Sequence, residues 1–243
     1  MIIEGKNPVA EALSAGKTIE KLYVVKGNFE ATVNRIVQMA KAAKVPTVFT
    51  SKDTLDKLSP SGKHQGVVAY ATEFEYASMD DVYDLAKEKG EPLFVVILDG
   101  ITDPHNLGSI IRSAECVGAH GVIIPQRRAV GVSETVVKVS AGATEHVNVV
   151  KVTNVNDTIR ELKDRGVYVF STAMDGEPIY KANLTGDVAI VIGSEGDGVK
   201  RLTKELSDGV VSIPQYGKLN SLNAGVAAGI VMFEKARQEK FGK

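Results

Sequence analysis

The stretch Val210-Val-Ser-Ile-Pro-Gln-Tyr-Gly-Lys-Leu-Asn-Ser-Leu-Asn-Ala-Gly-Val-Ala-Ala-Gly-Ile-Val-Met-Phe-Glu234 contains a strand, a polar loop and a helix in immediate succession. Val210 to Ile213 is a β-branched run that Pro214 stops, which predicts a short buried strand. Four apolar residues recur at helical spacing and predict one buried helix face: Leu222, Val226, Ile230 and Phe233. The loop is therefore expected to be held between two buried elements.

Two glycines, Gly225 and Gly229, lie inside this predicted helix, where each costs about 1 kcal/mol relative to alanine. They predict that another backbone or a ligand comes close to this face. Three small polar residues stand where the first backbone N–H groups of the helix are free: Asn220, Ser221 and Asn223. A helix cap explains one of the three, so the others favour a site for a polar ligand.

Length and composition limit the class of protein. The chain has 243 residues, 44% of them hydrophobic, which suffices for one large or two modest globular domains. The formal net charge of −1 neither supports nor excludes nucleic-acid binding, because a basic patch can be present in a balanced total. The location of the positive charge has to decide.

The cysteine content and the N-terminal sequence indicate the cellular setting. The single cysteine, Cys116, excludes a disulfide or zinc framework, and its apolar helical surroundings predict a buried structural thiol. Met1–Glu4 has no basic start followed by a long apolar run, and nowhere do about 18 apolar residues follow one another. We expect a soluble cytoplasmic protein without a membrane partner.

Residues 1–76 predict a small α/β domain. Three segments have strand character: Lys21–Lys26, Pro46–Thr50 and Val67–Ala71. Glu30–Lys44 has the spacing of an amphipathic helix, and Ser51 opens a further one. We expect no chemistry here, because His, Cys and carboxylate residues do not cluster at a telling spacing.

The loop Ser59–Gly66 of this domain holds His64 between Lys63 and Gln65. Such residues suit contacts to phosphates or bases, and an ordinary solvated loop is the alternative. The net charge is +2 over residues 1–76 and −3 over the remainder. This mild difference favours RNA binding by the first domain.

Residues 77–91 are polar and charged, and we predict a linker between two domains that includes a short helix around Val82, Leu85 and Ala86.

From residue 92 to 243 the sequence predicts a second α/β domain with a parallel sheet. Six runs are apolar throughout, as in strands buried on both faces: Leu93–Leu98, Val122–Ile124, Val147–Val152, Val167–Ser171, Val188–Ile192 and Val210–Ile213. Ligands bind at the carboxyl ends of such strands. The loops after Leu98, Ile192 and Ile213 are therefore the candidate sites.

The first of these loops, Asp99–Arg112, has no G-x-G-x-x-G pattern, which counts against a dinucleotide enzyme and the commonest class of methyltransferase. Asp103 and Pro104 predict a helix start. Gly108 stands one turn before Arg112 and is expected to leave open space beside its guanidinium. The alternative for Arg112 is an ordinary solvated helix residue.

The second loop, Gly193-Ser-Glu-Gly-Asp-Gly198, has three glycines that let backbone N–H groups crowd around a polar ligand. A plain turn has the same composition. Glu195 and Asp197 are its chemically active side chains.

Together the three loops resemble the ordered motifs of a known family. Asn106-Leu-Gly-Ser-Ile-Ile-Arg112, Gly193-Ser-Glu-Gly196, and Ile213-Pro-Gln-Tyr-Gly217 followed by Asn220-Ser-Leu-Asn223 are similar to those of the SpoU (TrmH) RNA ribose 2′-O-methyltransferases of the SPOUT superfamily. The resemblance extends from about Leu93 to Glu234. Residues 3–13 with His64-Gln-Gly66 resemble the substrate-binding domain of RlmB-type members.

The resemblance implies a fold and an assembly. The last stretch of the second domain would form a deep trefoil knot, an exception to the rule that chains do not knot. S-adenosylmethionine would bind in the knot near Gly193, Ile213 and Leu222. The knot helix, with Gly225 and Gly229, would pack in a homodimer.

The resemblance also implies the residues of a catalytic pocket, which needs no metal: Asn106, Arg112, Glu195, Ser221 and Asn223. In the family Arg112 would activate the ribose hydroxyl. Arginine is nearly always protonated, so it would more naturally hold an RNA phosphate, and a desolvated arginine paired to phosphate remains the alternative base. Alignment of the reacting atoms would supply much of the rate.

Some residues depart from the family pattern or lie outside it. Gln215 stands where methionine is frequent, and Ala224-Gly225 replaces a common Val-Ser. The loop Gln126-Arg-Arg128, with Lys138 beyond it, is either part of an RNA surface or an ordinary exposed loop.

We therefore expect an S-adenosylmethionine-dependent RNA guanosine 2′-O-methyltransferase that acts on large-subunit (23S) ribosomal RNA. The same chemistry on transfer RNA, or on ribosomal RNA as protection against an antibiotic, is an alternative that the motifs do not separate. A non-catalytic RNA-binding ribosome-assembly factor is the alternative of another class.

Overall fold

The computed structural model describes residues 1–27, 30–72, 74–218 and 221–242, and the chain divides after Glu75 into two units, Met1–Glu75 and Tyr76–Lys243. No helix among the described residues is long and apolar enough to cross a membrane.

The described part of the first unit is a mixed four-stranded sheet with helices, so the predicted α/β domain is confirmed. Its strands are β1 (Ile2–Glu4), β2 (Thr18–Val25), β3 (Thr47–Thr50) and β4 (Val67–Thr72), in the order β1-β4-β2-β3. Only β2 and β3 pair in parallel. Its helices are α1 (Lys6–Ser14), α2 (Ala31–Ala42) and α3 (Lys52–Leu58).

The core of the first unit follows the predicted periodicities. Val33 and Ile36 of α2 pack with Leu22 and Val24 of β2, and all four are buried. Ser51 caps α3 as predicted, because its hydroxyl accepts a hydrogen bond from the backbone N–H of Thr54 at 3.3 Å.

The loop 59–66 is largely solvent-exposed, as one of the two expectations had it, but His64 is buried and its imidazole is not presented to a ligand. His64 is 4% exposed. Its Nε2 lies 2.8 Å from Asp56 Oδ1, and its Nδ1 accepts a hydrogen bond from the N–H of Gly66 at 2.9 Å. Glu4 accepts hydrogen bonds from the hydroxyl of Ser59 and the N–H of Ser61. The polar groups of this loop hold the loop itself.

The predicted linker at residues 77–91 is instead part of the second unit. Its residues form helix α4 (Met79–Lys89), which begins with a capping box between Ser78 and Asp81. Val82 is fully buried, and a side chain at Gly121 would meet it at 2.7 Å. The polar composition reflects the solvent face of a packed amphipathic helix, which is why composition alone suggested a linker.

The second unit contains, within its described residues, the predicted parallel sheet. Its six strands run in the order β10-β8-β9-β5-β6-β7, and every pairing is parallel. Their bounds are β5 (Phe94–Asp99), β6 (Gly121–Pro125), β7 (Asn148–Val152), β8 (Tyr168–Pro178), β9 (Val188–Gly193) and β10 (Gly209–Ser212). Each predicted apolar run coincides with one strand.

One strand, β8, is longer than its apolar run, which ends at Ser171. It continues to Pro178, and its register with β10 shifts between Val210 and Val211. Gly176 makes this irregularity possible, because a Cβ there would lie 2.6 Å from the carbonyl carbon of Val211.

Helices cover this sheet. They are α5 (Pro104–Cys116), α6 (Glu134–Ser140), α7 (Val155–Asp164), α8 (Arg201–Leu206) and α9 (Ala224–Phe241), and a short 3₁₀ turn spans Ala143–Glu145. Asp103 caps α5 and Pro104 is its first residue, as predicted. Cys116 is exposed at the end of α5, so the expected buried thiol is wrong.

The open space that the sequence predicted at Gly108, one turn before Arg112, is filled by α6. Gly108 is buried, and a Cβ there would meet the Cβ of Val139 on α6 at 2.7 Å. The glycine is needed because α5 and α6 pack closely at this point.

Helix α9 buries the opposite face from the one that its apolar spacing predicted. Val226 and Phe233 are 52% and 55% exposed, and Ile230 is only partly buried. The inward face combines small, apolar and polar residues: Ala228, Val231, Met232, Glu234, Lys235 and Gln238. Gln238, one of the polar members, is satisfied by a distant segment, because it bonds the backbone N–H of Leu184 and the carbonyl of Ala182.

The close approach predicted at Gly225 is made by α5 of the same chain. A Cβ at Gly225 would lie 3.2 Å from the hydroxyl of Ser109, whereas one at Gly229 would lie 3.8 Å from the hydroxyl of Ser113. Of these two glycines, Gly225 is therefore the one that packs tightly against α5.

Candidate active site

A carboxylate joins the three predicted loops. Oε1 of Glu195 accepts hydrogen bonds from Nδ2 of Asn106 at 3.0 Å, from Nδ2 of Asn223 at 2.7 Å and from the backbone N–H of Ala224 at 3.1 Å. These donors belong to α5, to the segment before α9 and to the first turn of α9. The positive end of the α9 dipole also favours a carboxylate here. Glu195 therefore fixes three chain segments at one point.

Asn223 is the predicted cap of α9 and also joins the hydrogen-bonded cluster around Glu195. Its Oδ1 caps α9 by accepting from the backbone N–H groups of Gly225 at 3.0 Å and Val226 at 3.2 Å. Its Nδ2 donates to Oδ1 of Asn106 at 2.8 Å as well as to Glu195. Because both ends of the amide are used, the side chain has one orientation.

Gly193 lets the second loop fold back on itself. A Cβ at this position would lie 2.1 Å from the carbonyl carbon of Gly198, so glycine is required. Ser194 and Gly198 exchange backbone hydrogen bonds at 3.2 and 3.0 Å. The turn between them presents Glu195 to Asn106 and Asn223.

A buried carboxylate anchors the far end of this loop, whereas Glu195 itself is exposed. Asp99 ends β5 and is 2% exposed. It accepts hydrogen bonds from the backbone N–H of Lys200 and the hydroxyl of Thr203, each at 3.1 Å, and forms an ion pair with the Lys200 ammonium. The sequence interpretation missed Asp99. The sequence feature that could have identified Asp99 is an acidic residue directly after a wholly apolar strand.

A cavity of about 380 Å³ lies beside Glu195. Small-molecule sites typically occupy about 300–1,000 Å³. Its walls come from β8, from the loop that follows β9 and from the segment between β10 and α9. Met174, Ile192 and Leu222 are among its apolar lining residues, and Ser194 and Asp197 among its polar ones. Sequence reasoning also missed the part contributed by Thr172, Ala173 and Met174, because the apolar run of β8 ends before them.

The structure divides the predicted site residues into three groups. Asn106, Glu195 and Asn223 form the hydrogen-bonded cluster. Five predicted residues line the cavity: Gly193, Glu195, Ile213, Ser221 and Leu222. Arg112 belongs to neither group; it is exposed on α5, and its guanidinium makes no hydrogen bond or ion pair with any residue that the structure describes. Asn220 lies outside the described residues.

The cavity suits the cofactor that the motifs imply. Apolar side chains such as Val211, Ile213 and Leu222 can contact a flat base, while the glycine-rich loop offers backbone groups for polar atoms. Among the described residues, no group of three or more His, Cys, Asp or Glu side chains is arranged to hold a metal ion.

Two family models match this chain. That of the SpoU rRNA Methylase family matches residues 93–233, and that of the RNA 2′-O ribose methyltransferase substrate-binding domain matches residues 2–77. The boundary between the two matches falls within the segment that contains α4.

Proteins classed as TrmH-family tRNA/rRNA methyltransferases are similar over nearly the whole length. YacO of Bacillus subtilis is 44% identical over 236 residues, which cover 96% of this chain and 94% of YacO. A relative in Staphylococcus aureus (strain COL) is 45% identical over 239 residues, which cover 98% of this chain and 96% of the relative.

Solved structures agree. The SpoU methyltransferase AviRb of Streptomyces viridochromogenes, in complex with S-adenosylmethionine, has a TM-score of 0.61 at 25% identity and covers 98% of this chain and 90% of its own. A cofactor-bound rRNA methyltransferase of Sinorhizobium meliloti has a TM-score of 0.60 at 25% identity, with 98% and 86% covered. The chain therefore belongs to the SpoU/TrmH family of RNA methyltransferases, and its cofactor is S-adenosylmethionine.

Proposed function

We propose that this protein methylates the 2′-hydroxyl of a guanosine ribose in large-subunit (23S) ribosomal RNA. The observation that carries the proposal is the position of Glu195, which lines the cavity and also binds Asn106, Asn223 and Ala224. A polar cluster is thus placed against the cofactor cavity, where a ribose can approach.

The residues of this chain act mainly by positioning. When bound, S-adenosylmethionine supplies an activated methyl group. Glu195 and Asn223 hold the cavity wall and the start of α9 in one geometry, so that a ribose oxygen can be held in line with the methyl carbon. Asn106 is buried and engaged at both ends of its amide, which makes this geometry rigid.

The hydroxyl must also lose its proton, and Arg112 is the residue proposed to assist. Its guanidinium is free of partners within the described chain, so it is available to grip an RNA phosphate through paired N–H donors or to take the proton itself. Replacing Arg112 by lysine distinguishes the two roles, because each role predicts a different loss of rate.

Arg112→Ala is expected to lower the single-turnover rate of methyl transfer about 100-fold or more in either role. Arg112→Lys keeps the charge but loses the fork, so a phosphate grip predicts a loss of only about tenfold. A proton-accepting role predicts a severe loss for both variants, with partial rescue of the lysine variant at high pH.

Arg160→Ala is the matched control, because Arg160 is an exposed arginine whose partner is Asp157 on the same helix. Cofactor affinity should be unchanged in all three variants. A wild-type rate in Arg112→Ala would return Arg112 to an ordinary surface residue.

We also propose a homodimer through α9 and a trefoil knot in the last stretch of the second unit. The half-exposed Val226 and Phe233 support the dimer, since an uncovered apolar stripe on a helix is costly in water and suits a second copy of the same surface. The knot rests on family membership. Sedimentation of the wild type and Phe233→Glu tests the dimer, and a monomeric wild type would contradict it.

The first unit is proposed to recognise the RNA, because it matches a substrate-binding family and is mildly basic. A chain of residues 76–243, which retains α4, should bind cofactor but lose most RNA affinity. Equal RNA affinity at equal salt would assign recognition to the second unit instead.

Transfer RNA is the second candidate substrate, because the similar relatives are named for tRNA and rRNA alike. Mapping 2′-O-methylated nucleotides in RNA from cells with and without this protein decides between them. The intact cluster of Glu195, Asn106 and Asn223 argues against a non-catalytic assembly factor.

A further inference from the structure

The arginines of the second unit fall into two sets. Four are neutralised by a carboxylate on their own helix: Arg160 by Asp157, Arg165 by Glu161, Arg201 by Glu205 and Arg237 by Glu234. The side chains of the other three are exposed and have no hydrogen-bond or ion-pair partner among the residues that the structure describes: Arg112, Arg127 and Arg128. The mechanism uses only Arg112, so the Arg127–Arg128 pair has no assigned role.

This pair follows the carboxyl end of a strand in the sheet that carries the candidate active site at its carboxyl ends. Arg127 and Arg128 follow β6, which ends at Pro125. Strand β6 pairs with β5, and β5 pairs with β9, whose end leads to Glu195. Parallel strands have their carboxyl ends on the same side of the sheet. Because β6 and β9 are two strand spacings apart, about 10 Å separates their carboxyl ends.

The turn that carries the pair is anchored on both sides. The N–H of Gln126 donates to the carbonyl of Val152 at 2.8 Å, and the N–H of Val130 donates to the carbonyl of Ile101 at 2.9 Å. The N–H of Val132 donates to the Tyr76 hydroxyl at 2.8 Å. Between these anchors both arginine side chains are exposed. A backbone fixed in advance reduces the ordering entropy that binding costs.

The backbone at Arg128 has a φ of 58°, in the left-handed region. A residue with a side chain pays of order 1 kcal/mol to adopt it, and glycine or asparagine would fit more easily. An arginine is thus kept where the local conformation disfavours it.

The charge balance makes the pair distinctive. Residues 77–243 carry a net charge of −3, so free arginines here do not reflect general basicity. A guanidinium without a carboxylate partner presents a planar fork of N–H donors that matches phosphate oxygens. Lys138 lies in the last turn of α6 and is not part of this segment.

We propose that the Arg127–Arg128 turn binds phosphates of the RNA backbone beside the target nucleotide. This inference rests on the proposed function, and it adds a contact surface in the catalytic unit to the recognition assigned to the first unit. Such contacts carry no sequence information; they hold the strand in register with the cavity.

The test compares two double variants that lose the same charge. Arg127→Gln with Arg128→Asn removes the pair, and asparagine tolerates the left-handed backbone. Arg160→Gln with Arg201→Gln is the matched control, because these residues are 51% and 86% exposed and lie on α7 and α8. An in vitro transcript of large-subunit ribosomal RNA serves as the probe. Its affinity is measured over a series of salt concentrations, together with cofactor affinity and melting temperature.

The Arg127/Arg128 variant should bind the transcript at least about tenfold more weakly at low salt. The slope of log affinity against log salt should become shallower by about 1.4, the value for two phosphate contacts to a single strand. Its cofactor affinity and melting temperature should match the wild type, and the control variant should keep the wild-type slope.

Equal slopes for the wild type and the Arg127/Arg128 variant would overturn the proposal, as would an equal loss in both double variants, which would indicate overall charge. A wild-type chain that binds the transcript but never methylates RNA would contradict the proposed function, while the slopes would still decide the role of the arginine pair. A wild type that does not bind RNA would contradict both.

Discussion

The loop 59–66 of the first unit and the loop 193–198 of the second have similar compositions and different surroundings. Both are short and rich in glycine, and both carry polar side chains suited to a ligand. In the first, His64 is buried against Asp56 and the N–H of Gly66. In the second, Glu195 bonds two other chain segments, α5 and the start of α9, and lines a cavity.

The difference teaches that a polar glycine-rich loop becomes a site only where the packing leaves a volume beside it. In the first unit Ser59, Ser61 and His64 are hydrogen-bonded within the unit, which stabilises the loop and leaves the imidazole no free edge for a ligand. In the second unit, polar groups of the same kind form one wall of the cavity. Four substitutions can break or sharpen this contrast.

The largest effect is expected from Leu222→Glu, which places a charge in the apolar part of the cavity. Burying an unpaired carboxylate against a bound base costs several kcal/mol, so S-adenosylmethionine affinity should fall by about 100-fold or more. Calorimetric titration measures this. Leu202→Glu, which changes a 46% exposed leucine on α8, is the control and should bind normally. Normal affinity in a folded Leu222→Glu protein would show that the cavity is not the cofactor site.

Glu195→Ala removes the acceptor shared by Asn106, Asn223 and Ala224. We expect the single-turnover rate of methyl transfer to fall about 100-fold, because small displacements of positioning groups cost this much. Glu195→Gln keeps an oxygen acceptor and should lose less.

Glu205→Ala is the control for this series, since Glu205 is a carboxylate on α8 whose partner is the exposed Arg201. If Glu195→Ala transferred methyl groups at the wild-type rate, the second loop would be a scaffold like the first.

His64→Ala tests the first loop. It leaves the buried N–H of Gly66 without an acceptor and takes away the partner of the half-exposed Asp56 carboxylate, which should lower the free energy of unfolding by about 1–3 kcal/mol. Cofactor affinity should be unchanged. Denaturant titration of this variant and of His146→Ala, whose histidine is exposed, measures the difference. A fully stable His64→Ala protein with weakened RNA binding would instead make this loop a binding site.

The smallest effect concerns pH. Hydrogen bonds from Ser59, and next from Ser61, lower the pKa of Glu4 below its usual 4.5. A carboxylate with a lowered folded-state pKa stabilises the fold above pH 4.5, and this contribution disappears as the pH falls through the folded-state pKa.

Glu4→Gln should therefore reduce the drop in unfolding midpoint between pH 6 and acidic pH, whereas Glu11→Gln on the exposed face of α1 should leave it unchanged. An identical acid dependence in wild type and Glu4→Gln would show that this hydrogen-bonded carboxylate does not stabilise the loop.

Much of the fold was predictable because burial on both faces leaves a simple pattern. The six apolar runs of the second unit each became a strand, since a parallel sheet covered by helices requires continuous apolar residues. The cap at Asp103 and the role of Asn223 also followed from local rules. The segment 77–91 and helix α9 were misjudged because amphipathic periodicity indicates that two faces differ without saying what covers each.

The sequence alone determined most of the strands, the α/β character of both units and the three motif loops, because these depend on local hydrogen bonding and on the period of apolar residues. It did not indicate β1 or the second half of β8. Only the tertiary structure decided that Glu195 meets Asn106 and Asn223, which lie 89 and 28 residues away along the chain. It also decided that Asp99 holds Lys200, that Gly108 serves the packing of α5 against Val139, and that Arg127 and Arg128 remain unpaired within the described chain. The physical reason is that contacts between distant segments follow from the order of strands in the sheet and the volumes left between helices, which have no period along the sequence.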